Sequence, residues 1–309
     1  MKTPDKIVLE HAGALGDFLL AWPAFLSIVR HFPKVPVHHA VRPSHAPWLS
    51  PLATPCPPDL RRGLEARFAE DVWPQPLRGA LVVRPGLAAR PNIPQSEDFL
   101  FLQGIAPGKW QSPRRLYQEA LAGRGIPFAA DFRETFQAFF GGSAPQGDTA
   151  LLFPGAGHPD KAWPLARLEH LARLLREHGL RPVFVLGPAE VERNMTPSRG
   201  ETLVPGDLGE LSTAIRSARF VVGPDCGPMH LAGLHGVPGV ALFGPTAPGQ
   251  WGPEGMAIAT ANLPCSPCTA VTSGEFAAGC PRPLPCMAGI KAEDVLGRLA
   301  RRHLISGRP

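Results

Sequence analysis

The sequence predicts an α/β protein of two Rossmann-like domains, each a doubly wound parallel sheet, facing one another across a cleft. Three observations support this prediction. Apolar runs alternate with helical patterns along the second half of the chain, which is typical of a parallel sheet covered by helices. The first apolar run opens through a glycine-punctuated turn onto a helix, as a nucleotide-binding βα unit does. The length, 309 residues, suits two domains of about 150 residues each.

The first domain is expected to span residues 1–145. Its first strand, "KIVLE", is a buried apolar run, and the helix after it should bend or restart at Pro23, because proline lacks the amide hydrogen. Proline-rich connections leave the rest of this half difficult to divide. The elements expected here are strands at 6–10, 36–41 and 80–86 and helices at 17–31 and 59–72.

The second domain is expected to span residues 146–309. The segment 141–149, "GGSAPQGDT", has the composition of a linker, and strands and helices alternate regularly after it. The final helix is a candidate to pack back on the first domain. The expected strands are at 150–157, a range that includes the turn after the strand, and at 181–187, 220–225 and 238–244. The expected helices are at 164–179, 208–218 and 292–304, with a further short helix that begins at Pro228.

Composition limits the function. The formal net charge is +5, and the arginines are scattered and do not interleave with aromatic residues, which argues against a nucleic-acid partner. A weak attraction to anionic substrates or membrane surfaces is the most that this charge implies. No apolar stretch approaches the roughly 18 residues of a membrane span, and the first five residues do not resemble a signal peptide. We therefore expect a cytoplasmic protein.

The turn "HAGALGD" at 11–17 is the first candidate site. It departs from the dinucleotide fingerprint twice, because His11 replaces the first glycine and residues 36–45 offer no acid for a ribose. Gly13 and Gly16 allow a ligand to approach the backbone. Asp17 is either the N-cap of the following helix or a general base at the top of the first strand.

Two further candidate sites follow strands of the second domain. Lys161, in "PGAGHPDKAWP", would offer a cation beside backbone amides to a phosphate, although a lone lysine in a loop is more often merely solvated. In "VVGPDCGPMHLAGLHGVP", Asp225 ends a strand, Gly227 opens a helix and His230 lies in its first turn. This pattern suits a diphosphate and a ribose, and the alternative is a capped helix with an incidental histidine. Thr246 lies in the loop after the next strand.

Four late cysteines have the spacing C-x2-C-x11-C-x5-C. This spacing makes a structural zinc site a candidate, although it matches no standard zinc finger, and disulfides or free thiols are the alternatives. The cysteines concerned are Cys265, Cys268, Cys280 and Cys286. Cys56 and Cys226 are expected to be free thiols.

Together these segments resemble the heptosyltransferases of glycosyltransferase family 9. The matching pieces are "GALGDFLLAWPAF", "FPGAGHPDKAWPLARLEHLARLL", "VVGPDCGPMHLAGLHGVPGVALFGPTAPGQWGP" and the cysteine cluster followed by "IKAEDV". The resemblance implies the two-domain glycosyltransferase B fold, with the acceptor bound mainly by the first half and an ADP-sugar by the second. It implies transfer of a sugar, foremost heptose from ADP-heptose, to a lipopolysaccharide-core or other glycan acceptor, with inversion at the anomeric carbon and no catalytic metal or cofactor.

The resemblance also implies roles for individual residues. Asp17 is the expected general base and Lys161 the expected contact to the donor phosphates. The other residues expected to bind the nucleotide-sugar are Gly16, Gly157, Glu190, Asp225, Cys226, Gly227, His230 and Thr246. The expected partners are the ADP-sugar and a lipid-linked glycan acceptor, the latter at the inner face of the cytoplasmic membrane.

Some residues depart from the family pattern. Cys226 replaces a serine or threonine, and Ala156 and Gly157 stand where relatives often have hydroxyls. An acid near the adenosine is expected after the strand at 181–187, and Glu190 and Glu192 both qualify. A non-catalytic nucleotide-sugar binder and a nucleotide-sugar epimerase of the same architecture are the rival functions, and the presence of Asp17 argues against the first.

Overall fold

The computed structural model describes residues 3–69, 72–87, 92, 96–106, 110–271 and 278–305. The chain forms two compact units, Met1–Phe132 and Arg133–Pro309. Each unit contains one sheet, and every strand pair in both sheets is parallel. The predicted fold class, two α/β units each with a parallel sheet, is confirmed.

The first unit has a five-stranded sheet with the order β3-β2-β1-β4-β5. Helix α1 carries an unbroken buried run from Phe18 to Ile28 despite Pro23 in its interior. The hydroxyl of Ser27 donates to the carbonyl of Pro23 and accepts from the amide of Ala129, so the helix is tied to a distant segment here. The elements are β1 (Lys6–His11), α1 (Leu15–His31), β2 (Val37–Val41), β3 (Thr54–Pro55), α2 (Pro58–Ala66), β4 (Ala80–Gly86), β5 (Phe99–Gln103) and α3 (Pro113–Ala122).

The second unit has a six-stranded sheet with the order β11-β10-β9-β6-β7-β8. Its elements are α4 (Phe132–Phe140), β6 (Thr149–Leu152), α5 (Leu165–Glu177), β7 (Arg181–Val185), α6 (Pro188–Glu192), β8 (Glu201–Leu203), α7 (Leu208–Ser217), β9 (Phe220–Pro224), α8 (Gly227–His235), β10 (Gly239–Leu242), α9 (Pro248–Trp251), β11 (Ala257–Ala259), α10 (Pro285–Ala288) and α11 (Ala292–Arg301). Because β6, β9 and β10 are neighbours, the loops that follow them leave the sheet at the same edge.

Helix α4 explains why the division between the units lies ahead of the linker-like segment. The side-chain amide of Gln137 donates to the carbonyl of Leu234 at 3.0 Å, and the rings of Phe136 and His235 meet edge to face. The imidazole of His235 also contacts the carbonyl of Gly141 at 2.6 Å. Helix α4 and the residues after it are therefore anchored to the end of α8.

The core of the second unit includes its last helix. Val295 and Leu299 of α11 are fully buried together with apolar residues of α5 and β10, and the indole of Trp163 donates to the carbonyl of Ile290. The apolar side of α11 is thus used within its own unit, and its packing on the first domain stays a prediction.

Most predicted strands and helices are present within two or three residues of their expected ends. The helix expected at 59–72 is shorter, because α2 ends at Ala66, and Arg67, which follows it, is buried. In the described part of the chain, no helix combines the length and apolarity that crossing a bilayer requires.

Candidate functional site

A pocket of about 180 Å³ lies beside the start of α1 in the first unit. It is formed where β1 and β4 end, which is the edge at which parallel sheets bind ligands. Its lining combines a carboxylate, a guanidinium, an imidazole and a phenol with apolar walls. The lining residues are His11, Ala12, Gly13, Asp17, Arg84, Pro85, Gly86, Leu87, Phe101 and Tyr117.

Asp17 is the third residue of α1 and not its N-cap. The N-cap is Ala14, whose side chain makes no capping hydrogen bond. The Asp17 carboxylate lines the pocket and lies so close to Gly13 that a Cβ there would be 3.2 Å from Oδ2. The same Cβ would be 2.8 Å from Cε1 of His11. Gly13 is therefore required by the close approach of these two side chains, and the capping alternative for Asp17 is excluded.

A buried ion-pair network supports the wall of this pocket. Arg67 is fully buried after α2, and its NH2 donates to Glu10 at 2.6 Å. Arg84, which lines the pocket, donates to the same carboxylate at 3.1 Å. Because one carboxylate serves two guanidiniums, the network has an excess positive charge at the pocket wall. No sequence pattern predicted this network.

Asp17 shares the pocket with the imidazole of His11 and the phenol of Tyr117, and the imidazole of His45 packs against the rings of His11 and Phe18. Burial lowers the pKa of His11 to about 3, and His45, Arg42 and Arg84 contribute to this shift. Burial and the charge of Arg42 lower the pKa of His45 to about 4. Burial raises the pKa of Tyr117, and the negative charge of Asp17 raises it further. All three groups are therefore uncharged at neutral pH, and Tyr117 is a further pocket residue that sequence reasoning missed.

Asp225 is the centre of the candidate site in the second unit. It follows β9 directly, and it is buried. Its Oδ2 accepts from Nζ of Lys161 and from Oγ1 of Thr246, both at 3.0 Å. The three residues come from the loops after β9, β6 and β10, as their positions at the carboxyl ends of neighbouring strands predict.

Helix α8 begins beside this carboxylate. Cys226 is its N-cap, without a side-chain capping bond, and Gly227 is its first residue. His230 is buried, with Nε2 3.9 Å from Oδ1 of Asp225. Burial raises the pKa of the Cys226 thiol to about 12, so the sulfur is neutral and not a substitute for an anion. The helix start, the lysine and the histidine together favour an anionic ligand.

Glu190 and Glu192 differ in their surroundings. Oε2 of Glu190 accepts from the amide of Gly187 at 2.8 Å, so its carboxylate satisfies the N-cap amide at the start of α6. The same carboxylate lies against Gly155, where a Cβ would overlap it, whereas Gly157 has open space beside its Cα. Glu192 is exposed. Glu190 is thus the acid that faces the loop after β6.

Gln250 is buried in helix α9, which follows the loop that carries Thr246, and it was not predicted from the sequence. Among the described residues neither Nε2 nor Oε1 of its side chain has a hydrogen-bond partner. A buried unsatisfied amide costs roughly 1–3 kcal/mol. No local pattern marks it, because a four-residue helix is too short to show a periodicity.

The late cysteines lie next to the same loop. Cys265, Cys268 and Cys280 are exposed and Cys286 is buried, and all are free thiols. Over the described ranges, no three His, Cys, Asp or Glu side chains are arranged to hold a metal ion. The zinc site at these four cysteines stays a prediction.

The part of the chain that contains the Asp225 cluster matches a known protein family. The family model for glycosyltransferase family 9 (heptosyltransferase) matches residues 125–275, the segment that contains the whole Asp225 cluster. The resemblance to glycosyltransferase family 9 is confirmed. The match to this family includes α4, all strands from β6 to β11 and the first two late cysteines.

Curated relatives cover a limited part of the chain. Lipopolysaccharide heptosyltransferase 1 of Escherichia coli K12 is 32% identical over 114 residues, 35% of this chain and 36% of that protein. The Salmonella typhimurium LT2 protein of the same name is 35% identical over 111 residues, 34% of this chain and 35% of that one. The chain thus spans about a third of the length of the curated relatives that it matches.

Solved structures resemble the chain over nearly its full length. A glycosyltransferase of family 9 from Veillonella parvula DSM 2008 has a TM-score of 0.65 at 18% identity and covers 98% of both chains. The E. coli heptosyltransferase WaaC with ADP has a TM-score of 0.62 at 18% identity, covering 96% of this chain and 99% of that one. These likenesses show that the fold is the one found in family 9 heptosyltransferases.

Proposed function

We propose that this chain is an inverting glycosyltransferase that moves heptose from ADP-heptose to a glycan acceptor of the lipopolysaccharide core. The observation that carries the proposal is the cluster of Lys161, Asp225 and Thr246 at the start of α8, within the segment that matches family 9. The curated relatives are named lipopolysaccharide heptosyltransferases, and a similar structure holds ADP-2-deoxy-2-fluoro heptose. These names support the choice of donor and acceptor.

The second unit supplies groups suited to the donor. In the proposal, Lys161 and the amides at the start of α8 bind the diphosphate, and His230 donates to a phosphate oxygen. The Asp225 carboxylate accepts from a ribose hydroxyl and keeps the lysine in place through the 3.0 Å ion pair. Negative charge grows on ADP as the sugar leaves, and fixed positive groups stabilise that charge.

The first unit supplies groups suited to the acceptor. Asp17 takes the proton of an acceptor hydroxyl as its oxygen forms a bond to the anomeric carbon, while the bond from that carbon to ADP breaks. Attack from the side opposite the leaving ADP inverts the anomeric configuration. His11 is neutral because of its burial, so it does not compete with the hydroxyl as a proton donor near neutral pH.

The cellular setting belongs to the same proposal. A lipopolysaccharide-core acceptor is anchored in lipid, so we infer that the chain works in the cytoplasm, in peripheral contact with the inner face of the cytoplasmic membrane. The formal net charge of +5 is compatible with attraction to an anionic surface.

An ADP-release assay tests the function. We expect ADP to be released from ADP-heptose when a heptose-deficient lipopolysaccharide acceptor is present, and little ADP without it. A non-catalytic binder would bind ADP-heptose without releasing ADP in either case. An epimerase would change the sugar configuration without needing an acceptor, and either of these two results would contradict the proposal.

A further inference from the structure

Phe68 is an exposed aromatic residue whose ring lies against the wall of the pocket that contains Asp17. It follows Arg67 at the end of α2, and 53% of its surface is accessible to solvent. Single exposed apolar side chains are common on protein surfaces, so exposure alone gives Phe68 no role. What distinguishes this residue is the pair of guanidiniums that its ring contacts.

The first guanidinium belongs to Arg67. Its Cζ lies 4.6 Å from the centre of the Phe68 ring, which is a cation–π distance. Arg67 is fully buried, and its Nη2 donates to Glu10 at 2.6 Å, so this guanidinium has a fixed position. A buried charge therefore holds the ring from the protein side, while more than half of the residue's surface stays in solvent.

The second guanidinium belongs to Arg84, which lines the pocket. Its Cζ lies 5.7 Å from the centre of the Phe68 ring. Arg84 is paired with Phe101 in the register of β4 and β5, and Phe101 also lines the pocket. Phe101, Arg84 and Phe68 therefore form a row of neighbouring side chains, here called the aromatic strip, that leads from the pocket to solvent.

The chemistry of the aromatic strip suits a carbohydrate. One face of a pyranose ring consists mainly of C–H groups that the neighbouring oxygens leave electron-poor, and the face of an aromatic ring is electron-rich. Hydroxyls at the edge of a sugar ring accept hydrogen bonds, and a guanidinium carries five N–H donors. Aromatic surface with a few polar groups is also the usual lining of a small-molecule site.

We propose that the aromatic strip is a binding subsite for the acceptor glycan, in which the Phe68 ring stacks on the C–H face of a sugar. This inference rests on the proposed function, because it takes the pocket of Asp17 as the acceptor site. Phe68 is not among the residues that line the pocket and adjoins it through Arg84, so it meets the sugar next to the one that reacts. Phe68 therefore contributes to acceptor affinity and not to the chemistry.

Three substitutions of Phe68 separate its aromatic face from its bulk. Phe68→Ala removes the side chain, Phe68→Leu keeps apolar volume without a ring, and Phe68→Tyr keeps the ring. The matched control is Phe139→Ala, which removes a phenylalanine of similar exposure from the second unit. Because Phe68 is exposed, all variants should fold, and urea unfolding of each one checks this. If the alanine variant does not fold, the leucine and tyrosine variants still decide the question.

Steady-state kinetics give the first measurement. In Phe68→Ala and Phe68→Leu, we expect the KM for the acceptor to rise about three- to tenfold, the size of a lost aromatic contact, with kcat and the KM for ADP-heptose little changed. Phe68→Tyr should restore the acceptor KM to within about twofold of the parent, because the ring is retained. An acceptor KM that Phe68→Leu leaves unchanged would overturn the stacking role.

Binding without turnover gives the second measurement. The probe is the deacylated oligosaccharide of heptose-deficient lipopolysaccharide, and its dissociation constant is measured by saturation-transfer nuclear magnetic resonance without ADP-heptose. We expect the parent, Phe68→Tyr and Phe139→Ala to bind it alike, and Phe68→Ala to bind it about three- to tenfold more weakly. Equal binding by the parent and Phe68→Ala, or no binding by the parent, would overturn the subsite.

The same probe separates the subsite from its alternatives. If Phe68→Ala weakens only the acylated acceptor, the ring contacts lipid, and the sugar subsite is overturned. If the parent binds the oligosaccharide through Phe68 but transfers no heptose to it or to the acylated acceptor, the proposed function fails and the carbohydrate subsite stands.

Discussion

Asp17 lies where a helix start and a pocket meet. As the third residue of α1, its carboxylate interacts favourably with the free amides of the first turn, and it also lines the pocket beside His11 and Tyr117. An acid at a helix start is ordinary, but the absence of a side chain on Gly13 keeps this one open to a ligand. The residue therefore has a small effect on stability and, in the proposal, a large one on catalysis.

Asp17→Asn separates these two effects. Loss of the charge at a helix start should lower stability by about 0.3–1 kcal/mol, whereas loss of a general base should lower turnover about 100-fold or more. Turnover is measured by ADP release and stability by urea unfolding. Asp59→Asn, an exposed change in the first turn of α2, is the matched control and should retain turnover. Near-normal turnover of Asp17→Asn would exclude its role as the base.

Loss of Lys161 or of His230 should weaken the binding of ADP directly. Each side chain should contribute one charge-assisted contact to the diphosphate. Lys161→Ala and His230→Ala should therefore each make the free energy of ADP binding less favourable by roughly 1.5–3 kcal/mol in titration calorimetry. Lys291→Ala removes a charge from an exposed position of the same unit and should leave the affinity unchanged. If both variants bind ADP as tightly as the parent, the nucleotide is bound elsewhere.

The loop after β6 lies against the Glu190 side chain of α6 at Gly155, which has no side chain of its own. Glu190 caps α6 and occupies the space that a side chain at Gly155 would need. Gly157, two residues later in the same loop, has open space beside it. A methyl group added at Gly155 would therefore clash with Glu190, whereas a methyl group added at Gly157 would meet no neighbouring atom.

Gly155→Ala should destabilise the protein, because Glu190 must leave its capping position. We expect a loss of about 1–3 kcal/mol for this overpacking, measured by urea unfolding. Gly157→Ala is the control, and its stability should stay within about 0.5 kcal/mol of the parent. Equal stability of the two variants would show that Glu190 does not occupy the space beside Gly155.

The junction between α4 and α8 contains a buried histidine. Nε2 of His235 lies 2.8 Å from the hydroxyl of Ser212, and burial lowers its pKa to about 4 despite the opposing contact with Gly141. The unfolded chain binds a proton at this position near pH 6.5, whereas the folded chain does so only near pH 4. Stability is therefore present above pH 6.5 and is lost as the pH falls toward 4.

His235→Gln should reduce this acid sensitivity. Between pH 7.5 and pH 5, the histidine should account for a loss on the order of 2 kcal/mol, which the variant lacks. The measurement is urea unfolding at the two pH values, comparing the loss of each protein with its own stability at pH 7.5. The exposed His31→Gln should behave as the parent does. If His235→Gln loses as much stability between pH 7.5 and pH 5 as the parent does, the lowered pKa of His235 is contradicted.

At the scale of the whole molecule, the alternation of strands and helices predicted the sheet of the second unit more fully than that of the first, in which β3 and β5 were not predicted. Elements with a long apolar pattern, such as β1, α1, β9 and α8, were found, because burial on both faces leaves a strong signal. Strands of two or three residues were missed, since so few positions show no periodicity. Helix α4 was not predicted, because its apolar residues pack against α8 and the helix is not part of the strand–helix alternation of the sheet.

The two candidate sites differ in how much of each could be predicted. Asp225 and Lys161 follow strands that are neighbours in the sheet, so the topology places them together. The ion pairs of Glu10 with Arg67 and Arg84 join residues 57 and 74 positions apart, and no local pattern marks them. Glu190 was expected to bind the nucleotide-sugar, with Glu192 also qualifying, and the sequence does not indicate that the Glu190 carboxylate lies against Gly155.

The proposed activity is tested most directly by the anomeric configuration of the product. Purified protein, ADP-heptose and a heptose-deficient lipopolysaccharide acceptor are incubated, and the new glycosidic bond is assigned by nuclear magnetic resonance. The proposal predicts one heptose added per acceptor, with the anomeric configuration opposite to that in the donor. Retention of the donor configuration, or an acceptor recovered unchanged while ADP-heptose is bound, would contradict it.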